Sequence, residues 1–248
     1  MNVNHTFIVA DDNQRDRSFL IQSLAPRQVI PAENGEEALS LCAGLDEPWV
    51  ITDIQMPRIN GIELARRVWE IKPSARFLFW SQYDDEMYVR ALAKIVPLET
   101  VYGYVLKNNS IDILEKAMLA VFEECQCWID PHVRPVQARA HQHATSISDI
   151  EFEVLIDLAL GLTDRAIAER HYLSRRGAQN RLQSLYAKLG ANLEDHAGCD
   201  GDLFNVRMRA VALALQRGLI NSFELQKEEE KLAAWIKLQN RRTGKQWL

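Results

Sequence analysis

The chain has 248 residues, 47% hydrophobic and 25% charged, the balance of a globular protein with room for two cores. No run approaches the roughly 20 apolar residues of a membrane span. The opening "MNVNHTFIVADD" meets acids where a signal peptide has a basic region, so no leader is expected. Charge divides unevenly. Residues 1–124 hold 12 basic and 19 acidic residues, a balance of −7, and residues 125–248 hold 17 and 15, a balance of +2, together the chain's −5. An acidic front and a mildly basic back point to different partners for the two halves. Cys42, Cys125, Cys127 and Cys199 show no framework spacing and read as reduced thiols of a cytosolic protein. The C-x-C at 125–127 has no second pair, so no metal site is expected there.

In the first half, strand-like and helix-like segments alternate. Strands are expected at Thr6–Ala10, Gln28–Pro31, Trp49–Thr52, Phe77–Trp80 and Val101–Leu106. Amphipathic stretches separate them, such as "GEEALSLCAGL" from Gly35 and "GIELARRVWEI" from Gly61, with a last helix near Ser110–Cys125. Five β and five α in strict alternation predict a parallel sheet covered on both faces. In such sheets, sites form outside the carboxyl ends of the strands. Here strand one runs into Asp11 and Asp12, strand three into Asp53, strand four into Ser81 and strand five into Lys107. Each polar end has an ordinary explanation as a turn residue; four of five delivered to one edge do not.

Carboxylates crowded at one edge repel each other unless a cation intervenes. Mg²⁺ suits such oxygen ligands, taking one or two carboxylates with phosphate and water. A carboxylate can also act as a nucleophile toward a phosphoryl group, giving an acyl phosphate. That transfer needs charge neutralisation more than covalent help. Lys107 and a metal would neutralise charge, and the Ser81 hydroxyl would bond a phosphoryl oxygen. Met56-Pro57 through Gly61 would shape the loop beneath Asp53.

Asp11-Asp12, "DIQMPRING", Ser81 and Lys107 together resemble the receiver domain of bacterial two-component response regulators, over about residues 5–124. The resemblance implies a flavodoxin-like (βα)5 fold with strand order 2-1-3-4-5. It also implies Asp53 as phospho-acceptor, Mg²⁺ held by Asp12, Asp53 and the Gln55 carbonyl, and Asp11 helping through water. Tyr104, three before the lysine, matches the aromatic switch that turns when Ser81 engages the phosphoryl group; a strand aromatic packing the core is the equal alternative. Asn108 follows Lys107 where the family usually has proline in a cis bond. Non-proline cis bonds cost about 3–4 kcal/mol, so a trans bond is expected. "KIVPLETVYGY" before strand five is several residues longer than the family's usual segment. A haloacid-dehalogenase-type phosphatase also uses a strand-end aspartate, but needs a second acid two residues on. Gln55 occupies that position and excludes it.

Residues 126–146, with two prolines, three histidines and little periodicity, read as a linker. The second half is helical throughout in pattern. Ser148 and Glu151 form a capping box for a helix to Leu160, ended by Gly161. Thr163 caps a short helix through His171, and Ser174 a third, to about Leu189 before Gly190. Short helices joined by tight turns are the helix-turn-helix pattern, whose recognition helix lies in the major groove.

Glu151, Val154-Leu155, Gly161-Leu162-Thr163, Ile167-Ala168, Leu173-Ser174, Leu182, Leu185 and Lys188-Leu189-Gly190 resemble the LuxR-type domain of NarL/FixJ regulators. Ala210–Ile220 resembles that family's fourth helix, which provides dimer contacts. The resemblance implies that Gln179, Asn180 and Gln183 face base edges, where Gln and Asn suit adenine. It implies that Arg175, Arg176, Arg181 and Lys188 contact phosphate or guanine. Gly177-Ala178 stands where a Thr-Val pair is usual, and a helical glycine costs about 1 kcal/mol. "ANLEDHAGCDGDLFN" is an extra acidic loop whose Glu194, Asp195, Asp200 and Asp202 would repel phosphate. The tail 221–248 is acidic at its start and basic at its end, as a helix dipole prefers. With Leu225, Leu232, Trp235, Ile236 and Gln239 near one face, it is expected to be a helix that packs or dimerises, or folds back on its own domain.

The expected whole is an α/β receiver over 1–125, the linker, an all-α helix-turn-helix domain over 147–220 and a helical extension over 221–248. Its expected function is that of a cytoplasmic, non-enzymatic transcriptional regulator. A sensor histidine kinase would phosphorylate Asp53 with Mg²⁺, and the regulator would bind double-stranded DNA as a homodimer. The alternative is a phosphorylation-independent regulator acting through protein or RNA.

Overall fold

The computed structural model describes residues 5–135, 147–192 and 205–243. The remainder of the linker, most of the acidic loop with Glu194, Asp195, His196, Cys199, Asp200 and Asp202, and the last five residues lie outside the described residues. The chain forms two compact units, one spanning residues 1–84 and 88–138, the other residues 85–87 and 139–248.

In the first unit, strands β1 (Phe7–Ala10), β2 (Val29–Ala32), β3 (Trp49–Thr52), β4 (Arg76–Ser81) and β5 (Tyr102–Leu106) alternate with helices α1 (Gln14–Leu24), α2 (Gly35–Ala43), α3 (Gly61–Ile71), α4 (Glu86–Ile95) and α5 (Ile111–Met118). These strands pair in parallel, in the order β2-β1-β3-β4-β5. Strands β1 and β3 are fully buried, so their apolar runs need no alternation. Phe7, Val9, Trp49, Ile51, Leu78, Trp80 and Val105 share one core with Leu114, Ala117 and Met118 of α5. On α3, Leu64, Ala65, Val68 and Trp69 are buried at helical spacing, and the Trp69 ring meets Phe77 and Phe79 at 5.0 and 6.4 Å. Asparagines start three of the helices: Asn13, Asn34 and Asn60 each accept a backbone N–H of the first turn.

The structure departs from the expected fold at the end of this unit. Helix α5 stops at Met118, and Leu119–Glu123 wind as a π-turn that buries Ala120, Val121 and Phe122 in succession. A sixth strand, β6 (Trp128–Ile129), then pairs with β5, Gly103 opposite Trp128 and Tyr104 opposite Ile129. These residues belong to the segment expected to be linker. Its start is sheet because β5 otherwise leaves an open edge, and covering it satisfies backbone groups that water would have to serve.

The second unit is helical: α6 (Asp149–Ala159), α7 (Asp164–Arg170), α8 (Arg175–Leu189), α9 (Val206–Gln216) and α10 (Ser222–Thr243). Ser148 and Glu151 form the capping box, Thr163 and Ser174 cap α7 and α8, and Gly190 closes α8 in the left-handed conformation at φ 68°. Val154, Leu155, Leu158, Ile167, Leu182, Leu185 and Leu189 form the core. Leu225 and Leu232 of α10 pack against it, so the start of the tail folds back on its own domain. Among the described residues no helix is long and apolar enough to cross a membrane.

Candidate functional site

Strand ends deliver Asp11, Asp53, Ser81 and Lys107 to one edge, as the alternation implied, because register aligns the strands there. Ala10 pairs with Thr52, and Ser81 with Leu106. Asp11 and Ser81 are fully buried, Asp53 is 8% exposed, and Asp12 is open to solvent. The Lys107 ammonium donates to Asp11 Oδ2 at 2.7 Å, Asp16 Oδ2 at 2.8 Å and Asp53 Oδ2 at 3.0 Å. It also lies 5.1 Å from the centre of the Trp80 ring. A cleft of about 370 Å³ opens over them, lined by Asp12, Asn13, Asp16, Asp53, Gln55, Gln82, Tyr83 and Lys107.

The loop after Asp53 is built to hold it. Asp53 Oδ1 accepts the Ile54 N–H at 2.6 Å, and its backbone carbonyl accepts the Thr52 hydroxyl at 2.8 Å. Met56 and Ile59 are buried while Pro57 and Arg58 turn outward, Arg58 at φ 65°. Asn60 caps α3, and the Gly61 N–H donates to Ile54 O at 2.9 Å. A Cβ on Gly61 would sit 2.1 Å from Asp53 O, so only glycine fits. Asn60 and Gly61 thus fix the turn that places the Asp53 carboxylate.

Burial raises the Asp11 carboxyl from 3.8 to about 6, against the opposing pull of Lys107. Burial likewise raises Asp53, opposed by Lys107 and by the Ile54 and Gln55 N–H groups. Burial alone would lower Lys107, but the surrounding carboxylates more than reverse it and the lysine is firmly cationic. Asp11, Asp12 and Asp53 offer oxygens all within 4.8 Å of one another. Three hard oxygen donors of that sign and spacing fit Mg²⁺.

Other residues fall differently. Tyr104 is buried against Phe79, with ring centres 6.3 Å apart, and its hydroxyl donates to Tyr83 O at 2.6 Å. It therefore packs the core while reaching the loop after Ser81, so the two alternatives for it are not exclusive. The Gln55 side chain donates to the Tyr88 hydroxyl at 2.6 Å, and Gln55 lines the cleft. Sequence reasoning missed Asp16, the third carboxylate on Lys107. It sits in the first turn of α1, three after the Asn13 cap, where an acid has an ordinary helix-dipole explanation. The bond from Lys107 to Asn108 is trans, since the Ala25-Pro26 bond is the cis bond among the described residues.

On α8, Arg175, Arg176, Gln179, Asn180 and Gln183 are exposed, while Ala178, Leu182, Leu185 and Leu189 face the core. Arg181 is half-buried, its Nη1 donating to Gly177 O at 3.3 Å. Lys188 departs from expectation. Its ammonium donates to Glu151 Oε2 at 2.6 Å, turned toward α6 rather than outward. Glu151 is buried and also accepts Ser184 Oγ and the Ser148 N–H, so the capping carboxylate draws the lysine in. Gly177 accepts the helix start well, its N–H donating to Ser174 Oγ at 3.0 Å.

Residues 7–118 match the response regulator receiver domain. Transcriptional activator protein ExaE of Pseudomonas putida is 29% identical over 215 residues, covering 82% of this chain and 90% of that protein. Nitrate/nitrite response regulator protein NarL of Escherichia coli (strain K12) is 26% identical over 176 residues, covering 66% and 80%. RcsB from Salmonella enterica serovar Typhimurium, solved bound to promoter rprA with the phosphomimetic BeF3-, shares the fold. Its TM-score is 0.56 at 22% identity, over 85% of this chain and 98% of that one. The α/β unit is a receiver domain, and the chain as a whole is similar to response regulators that carry such a domain. Relatives it resembles are named as regulators, the transcriptional regulatory protein DegU of Brevibacillus brevis and NarL among them.

Proposed function

We propose that Asp53 accepts a phosphoryl group from a sensor histidine kinase and that α8 then reads double-stranded DNA. The observation that carries this is the Lys107 ammonium bonded to both Asp53 and Asp11 at the floor of an open acidic cleft. An Asp53 oxygen attacks the phosphorus of phosphohistidine. The O–P bond forms as the P–N bond breaks, and the imidazole leaves with a proton from solvent. Asp12, Asp53 and the Gln55 carbonyl, with Asp11 helping through water, would hold Mg²⁺, which would supply the divalent charge that this transfer needs. Lys107 neutralises a further equatorial oxygen, and Ser81 donates its hydroxyl to another. The Ser81 and Tyr104 face shifts in response, since Tyr104 already bonds the loop after Ser81.

In the second unit, Gln179, Asn180 and Gln183 reach base edges while Arg175, Arg176 and Arg181 contact phosphate or guanine. Relatives named as transcriptional regulators support this reading. A homodimer would present two such helices to a two-fold site, and the work belongs in the cytoplasm, with kinase and DNA. Selection of bound fragments from random duplex DNA, with and without BeF3- and Mg²⁺ at two salt concentrations, tests it. A two-fold motif strengthened by BeF3- is expected. A motif indifferent to BeF3- removes the phospho-switch, and sequence-blind binding that vanishes with salt removes DNA reading.

A further inference from the structure

We propose that Asp130 is a positioning residue for Lys107, resting on the reading of Asp53 as phospho-acceptor. Asp130 directly follows β6 and is fully buried. Its Oδ2 accepts the Leu106 N–H at 3.3 Å and the Asn109 side-chain amide, and its Oδ1 accepts the His132 N–H at 2.9 Å. Its own N–H donates to Tyr104 O at 2.9 Å. Leu106 and Asn109 bracket Lys107, one before it and two after. Asn109 closes the same turn, its backbone N–H and side-chain amide donating to Leu106 O at 3.1 and 3.2 Å.

A carboxylate taken out of water is costly unless its oxygens are satisfied. Among the described residues the Asp130 side chain has neutral N–H donors as its partners, from the end of β5, the β5–α5 loop and the turn after β6. That arrangement fixes geometry rather than neutralising charge. The Lys107 backbone is then gripped from two sides. Its N–H donates to Ser81 O on β4 at 2.7 Å, and its neighbours hang from Asp130 on the β6 side. The lysine must reach three carboxylates on β1, α1 and β3 at 2.7–3.0 Å. A loop free to move by an ångström would lose that reach, and misplacement on that scale costs about a hundredfold in rate in well-ordered sites.

The test uses the full chain with Asp130→Ala, Asp130→Asn and Asn109→Ala. Asparagine keeps the shape of Asp130 but turns an amide toward a donor, so it removes one acceptor. Asn109→Ala cuts the same tie from the loop side and keeps the test decisive if Asp130→Ala does not fold. Amide exchange over residues 105–110, read without any phosphoryl donor, is expected to rise at least tenfold, with residues 7–10 and 49–52 unchanged. Labelling of Asp53 by phosphoramidate and Mg²⁺, followed by intact mass, is expected to slow about tenfold, while Mg²⁺ affinity changes less than threefold. A merely structural loss would weaken metal binding and labelling together. Unchanged loop exchange, or labelling at the wild-type rate, overturns the proposal. A wild-type chain that takes no phosphoryl group sinks the Asp53 reading instead, and loop exchange alone then decides the role of Asp130.

Discussion

Asp16 Oδ2 lies 2.8 Å from Lys107 Nζ, between Asp11 at 2.7 Å and Asp53 at 3.0 Å. The cleft therefore gathers three carboxylates around one ammonium, with a fourth, Asp12, at its rim. Asp16 has no stated part in phosphoryl chemistry, yet it competes with Asp53 for the cation that chemistry uses. Its side chain is 24% exposed, so water screens it in part.

Replacing Asp16 by Asn removes one negative charge facing an incoming anionic donor. At an effective dielectric somewhat below that of water, about 50, a charge about 6 Å away is worth about 1 kcal/mol. Labelling of Asp53 by acetyl phosphate is expected to become about fivefold faster in Asp16→Asn, and Mg²⁺ affinity to fall by a similar factor. Labelling rates by intact mass, with Mg²⁺ titrated separately, check both. A slower variant would mean that Asp16 orients Lys107 rather than competing for it.

The raised Asp11 carboxyl makes a prediction about pH. Its ordinary value of 3.8 becomes about 6 in the fold. A carboxyl whose folded value is raised contributes stability that is complete below about 3.8 and lost as pH climbs through about 6. Above that window the buried charge costs about 3 kcal/mol. Asp11→Asn is expected to raise the unfolding midpoint of the metal-free chain at pH 7.5 and leave it nearly unchanged at pH 4. Thermal unfolding in EDTA at the two pH values measures this. An equal gain at both would mean that the carboxyl is not charged in the fold.

How much of this was legible from the amino acids depends on range. Capping by Ser148, Thr163, Ser174 and Gly190 is local side-chain chemistry, and the helices begin and end where those residues place them. The strand ends at Asp11, Asp53, Ser81 and Lys107 followed from apolar runs and the geometry of parallel sheets, which needs no contact information. Strand β6 was not legible: two residues carry no period, and Asp130-Pro131 reads as a turn. The partners of Asp16 and Lys188 were not legible for one reason: each pairs with a group far along the chain, Asp16 with Lys107 and Lys188 with Glu151.

Glu151 joins α6 to α8 through Ser184 and Lys188, at 2.6 Å each. Burial alone would raise its carboxyl, but Lys188, Ser184 and Ser148 outweigh it and bring it from 4.5 to about 2. A depressed carboxyl contributes stability present above about 4.5 and lost as pH falls toward about 2. The full difference is about 3 kcal/mol. Glu151→Gln is expected to destabilise the helical unit by about 2 kcal/mol at pH 7, and Glu151→Ala by more, since it strands Lys188. Urea titration with pulsed hydrogen exchange over α6 and α8 reads the change. A loss that does not shrink between pH 7 and pH 3 would show that packing, not the charge, is what Glu151 supplies.

The exposed face of α8 separates two kinds of contact. Arg175 and Arg176 stand at its start, and Gln179, Asn180 and Gln183 follow one turn on. A phosphate contact releases counterions, so Arg175→Ala or Arg176→Ala is expected to weaken binding alike on all duplexes and lower the salt slope by about one. Gln179→Ala, Asn180→Ala and Gln183→Ala are expected to cost about 1–3 kcal/mol on the selected site and little on random DNA. Lys188→Ala, whose lysine serves Glu151, is expected to leave the salt slope unchanged and lower stability instead. Fluorescence anisotropy at four salt concentrations, on the selected and a scrambled duplex, distinguishes these. If Lys188→Ala lowers the slope as the arginine variants do, the lysine leaves Glu151 for phosphate when DNA binds. If the glutamine and asparagine variants lose affinity equally on both duplexes, α8 grips the backbone and the base readout assigned to it is wrong.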